Sequence, residues 1–193
     1  MLGHLITFAN NVCIMSVQSI FRNLICLFSI VLASSLSYSD SLAGTIEGKV
    51  VQVAEGDTIM VLDSSKVQHR VRLAGIDAPE KGQPFGNASR KILRDLVSGK
   101  EVKVEYEKHD RYERIVGKVW ITPPDCPACG KTLDVGLTQI TTGMAWWFRR
   151  YAHEQSPDDQ MWYELAEEEA KAKKVGLWQD KKPVPPWEFR HPQ

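Results

Sequence analysis

Three short clusters hold the side chains best suited to chemistry. They are Glu55-Gly56-Asp57-Thr58, the run from Arg72 to Glu80 in which Asp77 precedes Ala78 and Pro79, and Asp110-Arg111-Tyr112-Glu113-Arg114. Each alone reads as a turn or strand exit, because Gly, Asp and Pro are what chain reversals use. Together they bring Asp57, Asp77 and Glu80 to the ends of strands shared with Arg72 and Arg114. That assortment suits hydrolysis of a phosphodiester, in which charge builds on the phosphoryl oxygens while a water attacks phosphorus. A hard cation held by Asp57 and Asp77 would neutralise part of that charge. Arg72 and Arg114 can each fork onto phosphate oxygens. Glu80, three residues beyond Asp77, can orient or deprotonate the water. His69, His109, His153 and His191 lie far apart, which favours calcium, magnesium or manganese over zinc or iron.

The elements that must position these groups are legible from periodicity. Strands are expected over residues 47–53, 58–62, 67–73, 102–106 and 115–121, where apolar and polar residues alternate or Val and Ile dominate. Val67, Val71 and Leu73 share one face of the third, with Arg70 and Arg72 on the other. A helix carries Ile92, Leu93, Leu96 and Val97 on one side and stops at Gly99. A second is expected over residues 133–142, ending at Gly143. A third starts at Ser156-Pro157 and ends at Gly176, with Trp162, Leu165, Ala166 and Ala170 facing inward. Its Glu167–Lys171 and Glu169–Lys173 pairs read as solvated i,i+4 contacts. Five strands and about three helices in this order give an α+β chain and suit a closed five-stranded barrel of the OB type. Trp146 and Trp147 read as core, and residues 181–193 as an extended Pro-rich tail with Trp187 packed on the domain.

Residues 1–39 carry one charge, Arg22, ahead of an apolar run from Leu24 to Ala33 too short for a comfortable span. They read as a signal peptide cleaved after about residue 39 or 43, the competing reading being an uncleaved anchor. Export to the periplasm or medium follows, with no membrane contact in the mature form. The remaining domain, residues 44–180, can bury roughly two thirds of its surface. With 24 basic and 24 acidic side chains, the chain has no broad field for a polyanion, so a few placed arginines and lysines must do any holding. Cys126 and Cys129 sit in a Pro-rich loop. They could form a small disulfide, half a zinc site, a redox centre or free thiols, and an oxidising compartment favours the disulfide.

From about Thr45 to Trp178 the chain resembles the thermonuclease, or staphylococcal-nuclease-like, family. The matches are the acid-Gly-Asp-Thr turn, Arg-Leu-x-x-Ile-Asp-x-Pro-Glu, Asp-Arg-Tyr-x-Arg, the segment Gly143 to Tyr151, and Gly176-Leu177-Trp178. The resemblance implies an OB-type barrel with three helices, and a calcium-dependent nuclease that acts on DNA and RNA and leaves 3′-phosphates. It implies that Asp57, Asp77 and the Ala78 carbonyl bind calcium, and that Glu80 is the general base. Arg72 and Arg114 would bind phosphate, and Arg111, Tyr112 and Tyr151 would line the nucleotide site. No stable protein partner is expected, and the mature form is expected to be a monomer. The sequence departs from the family pattern at Glu55, where Asp is commoner, at Ala78, where the best-known member has Thr, and at Glu113, where Gly is common. Its loop Lys81–Phe85 is also shorter than in that member. Two other classes fit the same elements: a non-catalytic OB module that binds nucleic acid or protein, and a phosphodiesterase for small nucleotides.

Overall fold

A computed structural model describes residues 43–191; the expected leader, with Cys13 and Cys26, lies outside the described residues. Five strands close on themselves. β1 (Gly44–Glu55) pairs antiparallel with β2 (Thr58–Asp63) and with β5 (Glu101–His109). β2 pairs with β3 (Gln68–Leu73), and β5 with β6 (Ile115–Ile121). A parallel pairing of β3 with β6, Val71 opposite Ile115, shuts the barrel. This is the OB-type arrangement, in which closure removes the free edges that an open sheet would expose. β1 serves both neighbours because it is long and carries register shifts near Val50–Gln52 and Val53–Glu55, which bend it across the barrel. Val50, Ile59, Val61, Val71, Leu73, Val102, Val104, Val119 and Ile121 fill the interior and are essentially without solvent contact.

Helices cover the barrel. α1 (Gly86–Val97) buries Ser89, Leu93 and Val97, and α2 (Val135–Thr141) buries Val135, Gln139 and Ile140. The helix expected over residues 133–142 is shorter. Leu133–Asp134 pair with β6 as β7, and Asp134 then caps α2 by accepting the Leu137 amide N–H at 3.1 Å. α3 (Pro157–Lys173) starts as expected, with Ser156 accepting the Asp159 N–H. Its buried stripe, however, is Tyr163, Ala166, Glu167 and Ala170. Trp162 and Leu165, expected inside, are 52% and 54% exposed. Ala166 and Ala170 are buried as expected, and Tyr163 and Glu167 complete the stripe, an acid holding a place that apolar counting assigns to solvent. Val67 is likewise exposed and precedes β3.

Two glycines join the end of α2 to the end of α3. The Leu177 N–H donates to the Gly143 carbonyl, and a Cβ on Gly176 would meet that carbonyl at 2.2 Å. Around this crossing Ala170, Leu177 and Trp178 form a second small core with Phe85, Trp146 and Val175. β4 (Ile76–Asp77) and β8 (Trp146–Trp147) form a two-residue ladder beside the barrel. The tail is not extended throughout, since α4 (Pro186–Phe189) makes one helical turn. Trp187 does pack on the domain, stacked on Phe148 at 5.4 Å. Cys126 and Cys129 form a disulfide with their Cα atoms 5.4 Å apart.

Candidate active site

Asp57 is held by packing as much as by its turn. Gly56 does not take a positive φ. Its lack of a side chain instead lets α1 approach, since a Cβ there would lie 2.0 Å from Ser89 Oγ and 2.9 Å from Ala78 Cβ. Gln139 of α2 donates to the Gly56 carbonyl at 2.7 Å, and the Asp57 carbonyl accepts the Leu73 N–H. Thr58 donates its hydroxyl to Asp57 Oδ1 at 2.8 Å. The carboxylate is thereby fixed, 4% exposed, at the mouth of the β2–β3 ladder.

Arg72 faces Thr58 across that ladder, which sets its guanidinium beside Asp57. Nη1 lies 3.2 Å from Asp57 Oδ2, and Nη2 lies 2.8 Å from Asp77 Oδ1. Burial works against the arginine's charge, but the two carboxylates outweigh it and hold its pKa above the ordinary value. Asp77 reaches this place from β4, whose pairing with Trp146 fixes it, and it has no solvent exposure. Ala78 follows, also buried. Glu80 leaves the chain after Pro79 and is partly exposed, its own N–H bonded to Gln83 Oε1 at 2.9 Å.

The C-terminal tail supplies a further member. Arg190 donates from Nη2 to Asp77 Oδ2 at 2.6 Å and from Nη1 to Asp77 Oδ1 at 3.2 Å, and Nη1 also reaches Glu80 Oε1. Burial disfavours this charge too, and Asp77 and Glu80 more than compensate, raising its pKa. Arg190 carries no motif signal and lies more than a hundred residues from its partners, so sequence spacing could not have placed it.

The third cluster stands apart from this network. Asp110 accepts the backbone N–H groups of Tyr112 and Arg114 and the Arg114 Nε and Nη2 donors, the last two at 2.7 Å. Burial would raise the Asp110 pKa, but these hydrogen bonds lower it below the usual carboxylate range. Tyr112, 62% exposed, lies between Arg111 and Arg114, 5.0 and 5.4 Å from its ring centre. The β3–β6 pairing brings the strand after Arg114 alongside the strand that carries Arg72. Among the described residues, though, the two arginines share no carboxylate. Tyr151 is edge-on to Phe148 and beneath Lys108.

The donor set fits a hard cation. Asp57, Asp77 and Glu80 stand against the Arg72 and Arg190 guanidiniums, so the carboxylates outnumber the cations and the acceptors are all oxygen. Among the described residues no three His, Cys, Asp or Glu side chains form a metal cluster. Two carboxylates, a carbonyl and waters are therefore what Asp57, Asp77 and Ala78 can offer.

Comparison with known proteins points to nucleases. The family described as staphylococcal nuclease homologue matches residues 70–180. The chain is 41% identical over 150 residues to an uncharacterized endonuclease of Escherichia coli, covering 78% of this chain and 88% of that protein. It is 41% identical over 145 residues to a micrococcal nuclease of Shigella flexneri, covering 74% and 79%. A probable staphylococcal-like nuclease of Oryza sativa is 34% identical over 126 residues, 65% of this chain and 29% of that protein.

Proposed function

The chain belongs to the staphylococcal nuclease homologue family, and from that premise we propose that it is a calcium-dependent nuclease, hydrolysing phosphodiesters of DNA or RNA to leave 3′-phosphates. The observation that carries the reading is the convergence of Asp57 and Asp77 on the Arg72 guanidinium. A calcium ion on Asp57, Asp77 and the Ala78 carbonyl would draw charge from a phosphoryl oxygen. Glu80 takes a proton from the attacking water, whose oxygen bonds to phosphorus as the bond to the 5′ oxygen breaks. That oxygen takes a proton from solvent and leaves as a 5′-hydroxyl, Glu80 returns its proton to solvent, and the phosphate stays on the 3′ side. Arg72 and Arg114 donate to the oxygens on which charge accumulates. Arg111, Tyr112 and Tyr151 offer cationic and aromatic surface to the nucleotide.

A binding-only module gains nothing from two carboxylates aimed at one guanidinium, and this disfavours the non-catalytic reading. Export as a monomer after removal of residues 1–39, or of four more, completes the proposal. The test is digestion of plasmid DNA and of RNA with calcium and with excess chelator. Cleavage should stop in chelator, return with calcium, and fall sharply in Asp57→Ala and Asp77→Ala. Undiminished cleavage in chelator would sink the metal assignment. Mass spectrometry of secreted protein should show a start near Asp40 or Gly44.

A further inference from the structure

The tail that ends in Arg190 is anchored at three points before it reaches the carboxylates. Buried Gln83 donates to the Val184 carbonyl at 2.6 Å. Pro186 is buried, and Trp187 stacks on Phe148 and meets Trp146 edge-on at 5.6 Å. One helical turn then aims Arg190 at Asp77, with Glu188, Phe189 and Arg190 N–H groups bonded back to Pro185 and Pro186. We propose that Arg190 sets the cation affinity of the Asp57–Asp77 site by occupying Asp77 itself, so that a divalent cation binds only as this arginine lets go.

The geometry makes the two cations competitors. Both oxygens of Asp77 are engaged, Oδ1 by Arg72 and Arg190 and Oδ2 by Arg190 at 2.6 Å. A calcium ion needs an oxygen at about 2.3–2.6 Å, the distance at which Arg190 Nη2 already stands. Two positive groups cannot share one carboxylate edge at that range without strong repulsion. Arg72 is different, because its Nη1 and Nη2 are divided between Asp57 and Asp77 and it belongs to the strand scaffold. Arg190 rides on a single turn near the chain end, its side chain one third exposed, and it can swing clear. Coupling is reciprocal: whatever Arg190 takes from calcium affinity, calcium takes from the docking of the tail. Arg190 also covers Glu80, so the same release frees the proposed general base.

This inference rests on the calcium reading, and its test separates the two. Calcium affinity by calorimetry and turnover on DNA are measured for the whole chain and for Arg190→Ala and Arg190→Lys, with hydrogen exchange of the tail followed with and without calcium. Arg190→Ala should bind calcium at least about tenfold tighter, the factor that 1.4 kcal/mol of lost competition produces. Arg190→Lys, which keeps charge but not the two-pronged contact, should fall between the two. In the parent, calcium should speed exchange at the amides of Glu188, Phe189 and Arg190. Equal calcium affinity in parent and Arg190→Ala overturns the proposal while leaving the calcium reading intact. A drop in turnover with unchanged affinity would make Arg190 a phosphate-binding residue instead. No calcium binding by any of the three proteins overturns both.

Discussion

The Glu167 carboxylate, fully buried in α3, accepts the backbone N–H of Trp147 at 3.0 Å and so holds the β4–β8 ladder that carries Asp77. Arg149 and Lys171 complete its coordination at 2.6 and 2.8 Å. A glutamate that reads as half of an exposed helix pair is instead a brace for the site. Replacing it by Ala leaves a buried N–H without a partner and a hole among packed side chains. Leaving a buried N–H unmet costs roughly 1–3 kcal/mol, while the two cations, partly exposed, can turn to solvent. Urea unfolding of Glu167→Ala should show a loss of that size, and Glu167→Gln, which can still accept the N–H, should lose less. A loss under 1 kcal/mol for Ala would mean that the brace is idle.

How much of this was legible in the sequence varies with the physics involved. The strands were legible because alternation follows directly from the pleat, and Ile115–Ile121 is found as expected. The acid-Gly-Asp and Asp-Ala-Pro-Glu runs were legible because local turn chemistry and the family pattern coincide there. Glu167 and Arg190 were hidden for different reasons. A buried acid in an amphipathic helix looks polar to any periodicity count, and besides Lys171 the partners that make it tolerable, Arg149 and Trp147, lie about twenty residues away. Arg190 depends on a contact between the chain's end and its middle, which no local pattern encodes.

Gly56 tests whether close packing positions Asp57. A Cβ there would overlap Ser89 Oγ and crowd Ala78, so α1 or the turn must move. Overpacking of this kind typically costs about 1–3 kcal/mol. Gly56→Ala should lose that much in thermal unfolding and should weaken calcium binding as well, because Asp57 and Ala78 both border the clash. Calcium affinity equal to the parent's would show that the turn absorbs the methyl without moving the ligand.

On the proposed reading Glu80 acts on the water and is not a metal ligand; its carboxylate meets Arg190. General-base catalysis is worth roughly a hundredfold to ten-thousandfold. Glu80→Gln should therefore lower turnover by at least about a hundredfold without loss of calcium affinity. A large loss of calcium binding in calorimetry would move Glu80 into the ligand set.

Asp110 gives a pH dependence with a definite sign. Its folded pKa lies below the ordinary aspartate value, burial being overcome by hydrogen bonds from Arg114 and Tyr112. The stability it contributes is thus fully present above that value and is lost as pH falls through the lower, folded pKa. The gap in melting temperature between the parent and Asp110→Asn should stay constant from neutral pH to about 4 and close below it. A gap that widens on acidification would contradict the assignment.

Arg114 decides whether the Asp110 hairpin serves catalysis or only its own shape. Asp110 takes Nε and Nη2 of Arg114, so the guanidinium is held in one orientation while Nη1 stays free of that contact. An arginine fixed in this way has little left to lose in ordering when a phosphate arrives, which suits a group that acts as charge builds in the transition state. Losing one such donor costs about 3 kcal/mol, or roughly a hundredfold in rate. Arg114→Ala should therefore depress kcat by that order with a smaller change in KM, and Arg114→Lys should recover only part of it. Both variants also remove the guanidinium bonds to Asp110, which keeps the backbone N–H groups of Tyr112 and residue 114, so some stability is lost whatever the catalytic role. That loss alone cannot lower kcat at a temperature where the variants are folded, as circular dichroism would confirm. If folded Arg114→Ala cleaves DNA at the parent's rate, the arginine is a hairpin brace, and Arg72 must serve the phosphate without it.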